Sequence, residues 1–308
     1  MDNWIKHLHL SKPKRIISIA TDCSGIEAPI HTLQRLGIRH NHLFSSEVDP
    51  KCKKLINSVF KPKLYFDDIF SRDLRKVNKQ LDIYICGFPC QSFSIAGKKL
   101  GFEDTRGIVF FECLKTISSL TPRVFILENV KNLTCHDSGK TLKIILNKLK
   151  SLKIYNIYWK VLNTKDFCIP QNRPRVYFIG ILKTCDNGFK FPNPIICPDI
   201  KIDAFLEKKN LPESVLTKSQ SVVLQQRMQN KNKRQHYIIN LGVSTTGGFG
   251  SAMKDTSPCL LSSHKYYYST KKKRFMTVPE WASLQGFDPS ILDPTLLSYK
   301  QLGNTMSV

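Results

Sequence analysis

The 308-residue sequence predicts an α/β fold, a mainly parallel and doubly wound sheet carrying a smaller inserted domain. Three observations lead there. Through residue 183, short apolar runs alternate with segments of helical period, as in repeated strand–helix–strand units. Acidic, small and cysteine residues follow the apolar runs directly, where an open sheet of this kind binds its ligands. From residue 184 the alternation stops.

"RIISIAT" (15–21) reads as the first strand and "IEAPIHTLQRLGI" (26–38) as a helix ending near Gly37. "HLFSSEV" (42–48) is strand-like, "KCKKLINSVF" (51–60) helical, and "KLYFDDI" (63–69) strand-like again. "LDIYICG" (81–87) precedes a loop, a helix over "GIVFFECLKTISSL" (107–120) and the strand "RVFILEN" (123–129). A helix over 139–152 leads to "YNIYWKVLN" (155–163) and "RVYFIGIL" (175–182), which have no helix between them and predict an antiparallel hairpin at one edge. Residues 184–271, with "CDNGFKFPNPIICPDI" and "STTGGFGSAMKDTSP", read as a separate loop-rich domain. "TVPEWASLQGF" (277–287) restores a helix, with Pro279 in its first turn. The domains expected are thus 1–183, 184–271, and a return to the first over 272–308.

Composition narrows the class. No apolar run reaches membrane-spanning length, and the N-terminal "MDNWIKHLHLSKPKR" has no core of signal-peptide type. A soluble intracellular protein is expected, cytoplasmic in a prokaryotic or viral setting and nuclear in a eukaryotic one, acting as a monomer. The 10 cysteines include no C-x-x-C pair, so no metal site is expected and most read as reduced, small hydrophobes. Lys and Arg number 47 against 24 acids, a net charge of +23, with clusters at "NKNKRQH" (230–236) and "KKKRF" (271–275). Such an excess attracts polyanions and is the electrostatic footprint of nucleic-acid binding.

Polar residues follow five strands in succession: Asp22-Cys23-Ser24-Gly25, Glu47 and Asp49, Asp67-Asp68, Pro89-Cys90, and Glu128-Asn129. An acid after one strand is ordinarily a helix cap or a solvated turn; five suggest a site. Cys90 stands in "ICGFPCQSFSIAG" (85–97), past a strand end rather than inside it like Cys86. There "GFPCQSFS" resembles the Pro-Cys-Gln loop of the cytosine-C5 DNA methyltransferases. "ENV" (128–130), "QNRPR" (171–175), "TVPEWASLQGF" and "QLGNTMSV" (301–308) resemble their remaining motifs, in the family's order.

The resemblance implies an S-adenosylmethionine-dependent methyltransferase sheet of Rossmann-like type, with residues 184–271 as a target-recognition domain. Cytosine C5 is a poor nucleophile until a thiolate adds at C6 and makes the ring an enamine, and cysteine is the side chain suited to that covalent step. Cys90 is then the nucleophile. Glu128 bonds the N3 edge and the exocyclic amine, Arg175 holds O2, and Arg173 supports it. For the cofactor the implied residues are Cys23, Ser24, Gly25 and Ile26 under the methionine part, Glu47 at the ribose hydroxyls, Asp68 at the adenine amine, and Val48 and Ile69 beside them. Pro89, and Asn304 at the closing edge, complete the set. Gly97, Lys98, Lys99 and Gly101 would form a lid over double-stranded DNA, from which the target base is flipped. A cognate restriction endonuclease reading the same site is a further expected partner.

Two departures stand out. The first turn reads Cys23-Ser24-Gly25-Ile26-Glu27 where the family has Phe-x-Gly-x-Gly, and the sequence ends at Val308 where the family continues into a helix, so a shortened C-terminus is expected. The alternatives are the tRNA-methylating branch, whose Cys-Phe-Thr tripeptide is absent, and a catalytically silent DNA-binding relative.

Overall fold

Every residue of β1 (Ile17–Asp22) is buried, which requires strands on both of its edges and helices on both faces. The computed structural model describes residues 13–77, 80–89, 108–195, 197, 200–243, 252–290, 292 and 295–308. They form two compact units, 13–162 with 174–193, and 163–173 with 194–308.

In the first unit β1 is joined by β2 (His40–Ser46), β3 (Leu64–Phe66), β4 (Ile83–Gly87), β5 (Val124–Val130), β6 (Tyr155–Asn163) and, after the short β7 (Gln171–Asn172) of the other unit, β8 (Pro174–Leu182). The spatial order is β3-β2-β1-β4-β5-β8-β6. Strands β1 to β5 pair in parallel, and β8 runs antiparallel to β5. Helices α1 (Ala28–Arg35), α2 (Pro50–Leu55), α3 (Ile108–Leu120) and α4 (Lys140–Lys150) supply the crossovers. Asp49 caps α2, accepting the Lys51 N–H at 2.9 Å. The core packs Tyr84, Cys86, Phe125, Leu127 and Phe178 of the sheet with Cys113 and Ile117 of α3 and Ile145 and Leu149 of α4.

The strands expected as an edge hairpin are neighbours at that edge, but the later one, β8, lies inside, between β5 and β6. Its burial explains the order: Val176, Phe178, Gly180 and Ile181 are buried, whereas β6 exposes Trp159 and Lys160. Gly180 faces Phe125 in register, and a Cβ there would run into the Phe125 ring. That ring also stands edge-on to Tyr155, centroids 5.1 Å apart.

The second unit holds more regular structure than the sequence predicts. It contains α5 (Lys218–Met228) and a sheet of β9 (Tyr237–Asn240), β10 (Met253–Lys254), β12 (Tyr267–Ser269) and β13 (Arg274–Phe275), ordered β10-β9-β12-β13. Another strand, β11 (Ser257–Pro258), pairs in parallel with β7. Only Val223 of α5 is buried, so the helix presents no apolar stripe to read. Its start is set by a capping box between Thr217 and Gln220. Thr277 and Glu280 form the same motif at α6 (Val278–Leu284), confirming the expected helix with Pro279 in its first turn. The last helix, α7, spans Tyr299–Asn304. Cys168 and Cys197 form a disulfide across a separation of 29 residues, while the other described cysteines take part in no disulfide.

A chain of polar side chains links β12, the residue before β9 and Asp203. Ser269 Oγ lies 2.7 Å from His236 Nε2, and His236 Nδ1 lies 3.0 Å from Asp203 Oδ1. Burial pushes His236 below its ordinary 6.5, which Asp203 opposes without reversing.

Two outcomes are expected. Gly180→Ala should lower stability by about 1–3 kcal/mol through overpacking against Phe125, read as a fall in Tm; an unchanged Tm would mean that the ring yields freely. Because the unfolded chain takes up a proton that folded His236 resists, stability should be full above about pH 6.5 and decline as the pH falls below that value toward the folded pKa. Thermal melts across that window should show the decline flattened in His236→Gln.

Candidate active site

Parallel strands leave their carboxyl ends on one edge of the sheet, and the loops there are built from residues the core cannot accept. After β1 the chain turns through left-handed backbone at Cys23, Gly25 and Glu27 (φ 48, 55 and 59°) before α1 begins. The turn is tied to β2: Ser24 N–H donates to the Ser46 carbonyl at 3.1 Å, and Ser46 N–H donates to Ser24 Oγ at 3.0 Å. This brings Gly25 N–H to Glu47 Oε2 at 2.8 Å, while Asp49 N–H donates to Glu47 Oε1 at 3.0 Å. Val48 is 71% exposed, and Ile69 is buried. Asp68 accepts the Phe70 N–H at 3.0 Å through Oδ1.

These residues fit S-adenosylmethionine. A carboxylate oxygen with one backbone partner retains lone pairs, so Glu47 can accept from the ribose hydroxyls and Asp68 Oδ2 from the adenine amine. Exposed Val48 offers an apolar surface for an adenine face. Ile26 and Ser24 are buried and shape the turn from beneath, while Cys23 is half-buried. Asp49 and Asp67 behave as ordinary strand-end acids instead, one capping α2 and the other pairing with Lys53 at 2.5 Å.

The loops are held from below by groups the sequence does not single out. Asp22, fully buried, accepts from Tyr84 Oη at 2.5 Å and pairs with Arg72, which also reaches Thr116 Oγ1. Arg72 lies four positions beyond Asp68, so this pair ties the loop after β3 to the end of β1. The readable signal was an acid inside a strand buried on both faces, which demands a partner. Burial pushes the Cys86 thiol well above its usual value, as suits a core cysteine and not a nucleophile.

The Pro-Cys-Gln loop leaves β4 beside β5. Gly87 pairs in register with Glu128, and Asn129 Nδ2 donates to the Phe88 carbonyl at 2.9 Å. The stem up to exposed Pro89 is thereby fixed; Cys90 and the lid residues Gly97, Lys98, Lys99 and Gly101 lie outside the described residues. Glu128 is 8% exposed, and Arg175 Nε sits 3.0 Å from its Oε1. Neighbouring strands make this pair, since Val130 faces Arg175 across β5 and β8.

Arg173 belongs to the other unit. Its guanidinium is buried and donates to the carbonyls of Leu260, Gly303 and Thr305 at 3.1, 3.2 and 2.5 Å. Gly303 is needed for close approach, because a Cβ there would strike the backbone of Leu261 and Ser262. Asn304 is exposed at the end of α7. In the same unit a concavity of about 420 Å³ is lined by Ser262, His264, Lys265, Tyr266, Tyr299 and Lys300, with no acid among the described residues that line it. Sequence reasoning pointed to the basic clusters and not to these residues, which come from separate segments. Among the described residues no group of His, Cys, Asp or Glu could hold a metal ion, and no helix is long and apolar enough to cross a membrane.

Comparison with known proteins agrees with this geometry. The family described as C-5 cytosine-specific DNA methylase matches residues 15–308. The chain is 35% identical over 290 residues to the type II methyltransferase M.HpaII of Haemophilus parainfluenzae, covering 86% of this chain and 79% of that one. It is 31% identical over 253 residues to M.HhaI of Haemophilus parahaemolyticus, covering 77% and 76%. Among solved structures, a DNMT2 mutant from Spodoptera frugiperda superposes with a TM-score of 0.67 at 15% identity over 94% of this chain and 96% of that one, a likeness of fold. A match running almost from end to end, on the sheet and loops described above, means that the chain belongs to the C-5 cytosine-specific DNA methylase family.

Proposed function

We propose that the chain transfers a methyl group from S-adenosylmethionine to C5 of a flipped-out cytosine in double-stranded DNA, through a covalent adduct at Cys90. Methylation of DNA cytosine follows from the family; the residue roles are our reading. One observation carries them. The buried Glu128–Arg175 pair stands beside the stem of the Pro-Cys-Gln loop, with Asn129 holding that stem in place.

The cofactor, when bound, supplies an electrophilic methyl on sulfonium. Glu47, Asp68, Val48 and the first turn hold and orient it. The Cys90 thiolate adds to C6, and the electron pair of the C5–C6 bond moves to C5 and into the ring toward N3 and O2. Glu128, in its protonated form, donates to N3 as charge develops there, and Arg175 donates to O2; such donors contribute most when aimed where charge appears. C5 then takes the methyl group as its bond to sulfur breaks, the electron pair staying on sulfur to leave S-adenosylhomocysteine. Loss of the C5 proton to a base restores the double bond and expels the thiolate. Arg173, two residues before Arg175 in the chain, is held by backbone carbonyls of its own unit.

We assign target recognition to residues 184–271 and phosphate contacts to the basic side chains there, among them Lys265 at the rim of that concavity. The type II names of the relatives favour a partner endonuclease that reads the same site. The +23 charge favours DNA binding by a monomer.

Labelled methyl transfer to unmethylated DNA, with tRNA alongside, tests this reading. Cys90→Ser should abolish transfer while leaving DNA binding within about twofold; full activity in that variant would sink the covalent step. A duplex with 5-fluorocytosine at the target should give a denaturant-resistant adduct in the presence of cofactor, because fluorine does not leave as a proton. Binding should weaken steeply with salt as phosphate contacts release counterions, and a flat dependence would mean that the charge excess lies off the interface.

A further inference from the structure

Glu27 takes the place of the second glycine of the family's first turn, and it is a costly residue to find there. Its backbone is left-handed (φ 59°, ψ 47°), a region that L side chains occupy at a steric cost. Its side chain is fully buried. Strain of this sort persists only where surrounding contacts over-determine it, and it clusters at functional sites. The contacts are specific. Thr21 Oγ1 and Ser45 Oγ each donate to Glu27 Oε1 at 2.6 Å. His42 Nε2 lies 3.0 Å from Ser45 Oγ and 3.4 Å from Glu27 Oε1. With the Ser45 hydroxyl proton committed to Glu27, His42 must donate from Nε2, which makes a directed chain from His42 through Ser45 to Glu27. Thr21 Oγ1 is also 2.8 Å from Ser24 Oγ, the atom that accepts the Ser46 N–H. Next to Ser24, Gly25 N–H points at the Glu47 carboxylate.

We propose that Glu27 is a positioning residue for the cofactor: its buried carboxylate clamps the ends of β1 and β2 together, and so holds Gly25 and Glu47 in the geometry that receives S-adenosylmethionine. Glu27 touches no cofactor atom itself; it acts through Thr21, Ser24 and Ser45. His42, three residues before Ser45 on β2, orients the serine hydroxyl. The proposal rests on the reading that this turn and Glu47 bind the cofactor.

The test is direct binding of S-adenosylhomocysteine by calorimetry, alongside Tm and separate KM values for S-adenosylmethionine and DNA. Glu27→Ala should weaken binding about tenfold, the scale of a lost hydrogen bond to a buried charge. It should raise the KM for the cofactor and leave that for DNA unchanged. Ser45→Ala should weaken binding in the same direction, and Glu27→Gln, which keeps an acceptor in place, should recover most of the affinity. A folded Glu27→Ala variant with the affinity of the parent overturns the proposal, as does a fall in Tm with affinity intact. Should Glu27→Ala not fold, Ser45→Ala decides: unchanged affinity there overturns the clamp. A parent protein that binds no S-adenosylhomocysteine overturns the functional reading itself, whereas a parent that binds it, with variants that match, overturns only the role of Glu27.

Discussion

Two carboxylates buried at the end of one strand set the terms for the loops around them. Asp22 and Glu27 have no exposed surface, and removing a partner from a buried ion pair costs about 3–5 kcal/mol. Each acid therefore recruits its partners from a different neighbour. Asp22 draws Arg72 from beyond β3 and Tyr84 from β4; Glu27 draws Ser45 and His42 from β2. Meeting Asp22 through Arg72 and Tyr84, and Glu27 through its Oε1 alone, ties the loops after β1, β2 and β3 to one another. Those loops carry Gly25, Glu47 and Asp68, so the demands of burial and the demands of a binding site coincide.

The second unit solves its own problem with the same physics. Arg173 is a buried cation, and the carbonyls of Leu260, Gly303 and Thr305 satisfy it, gathering three separated segments. Glu280 is equally buried, accepting from Arg274 at 3.0 and 2.6 Å and from the backbone N–H groups of Thr277 and Glu207, each at 2.9 Å. Here too buried charges tie irregular chain together, alongside apolar packing such as that of Trp281 on Tyr267 and Tyr299. Short strands and irregular connections can be held by polar groups when every donor and acceptor is met.

Much of the first unit could be read directly. Strands buried on both faces are runs of Ile, Val, Leu and Phe, and their crossovers are long enough to announce themselves as helices. The position of β8 inside β6 was less legible, because which of two apolar strands is central depends on what packs against it; Gly180 under the Phe125 ring decided the matter. α5 was missed because its capping box is a local signal and its single buried residue gives no period. At the site, Glu128 and Arg175 were readable as motif residues, but their contact at 3.0 Å comes from strand register. Arg72, His42 and Ser45 carry no signal of their own; only the buried acids they face make them necessary.

By itself the sequence determined the order of strands and helices in the first unit, the charge, and the chemistry-bearing residues after each strand, since these depend on residue type and on spacing along the chain. Tertiary structure alone decided which partners meet the buried acids, that Arg173 is spent on backbone carbonyls, and that a glutamate can sit in a left-handed turn. Those outcomes depend on desolvation and on distances between segments far apart in the chain, where a buried charge accepts whatever partner the fold brings within reach.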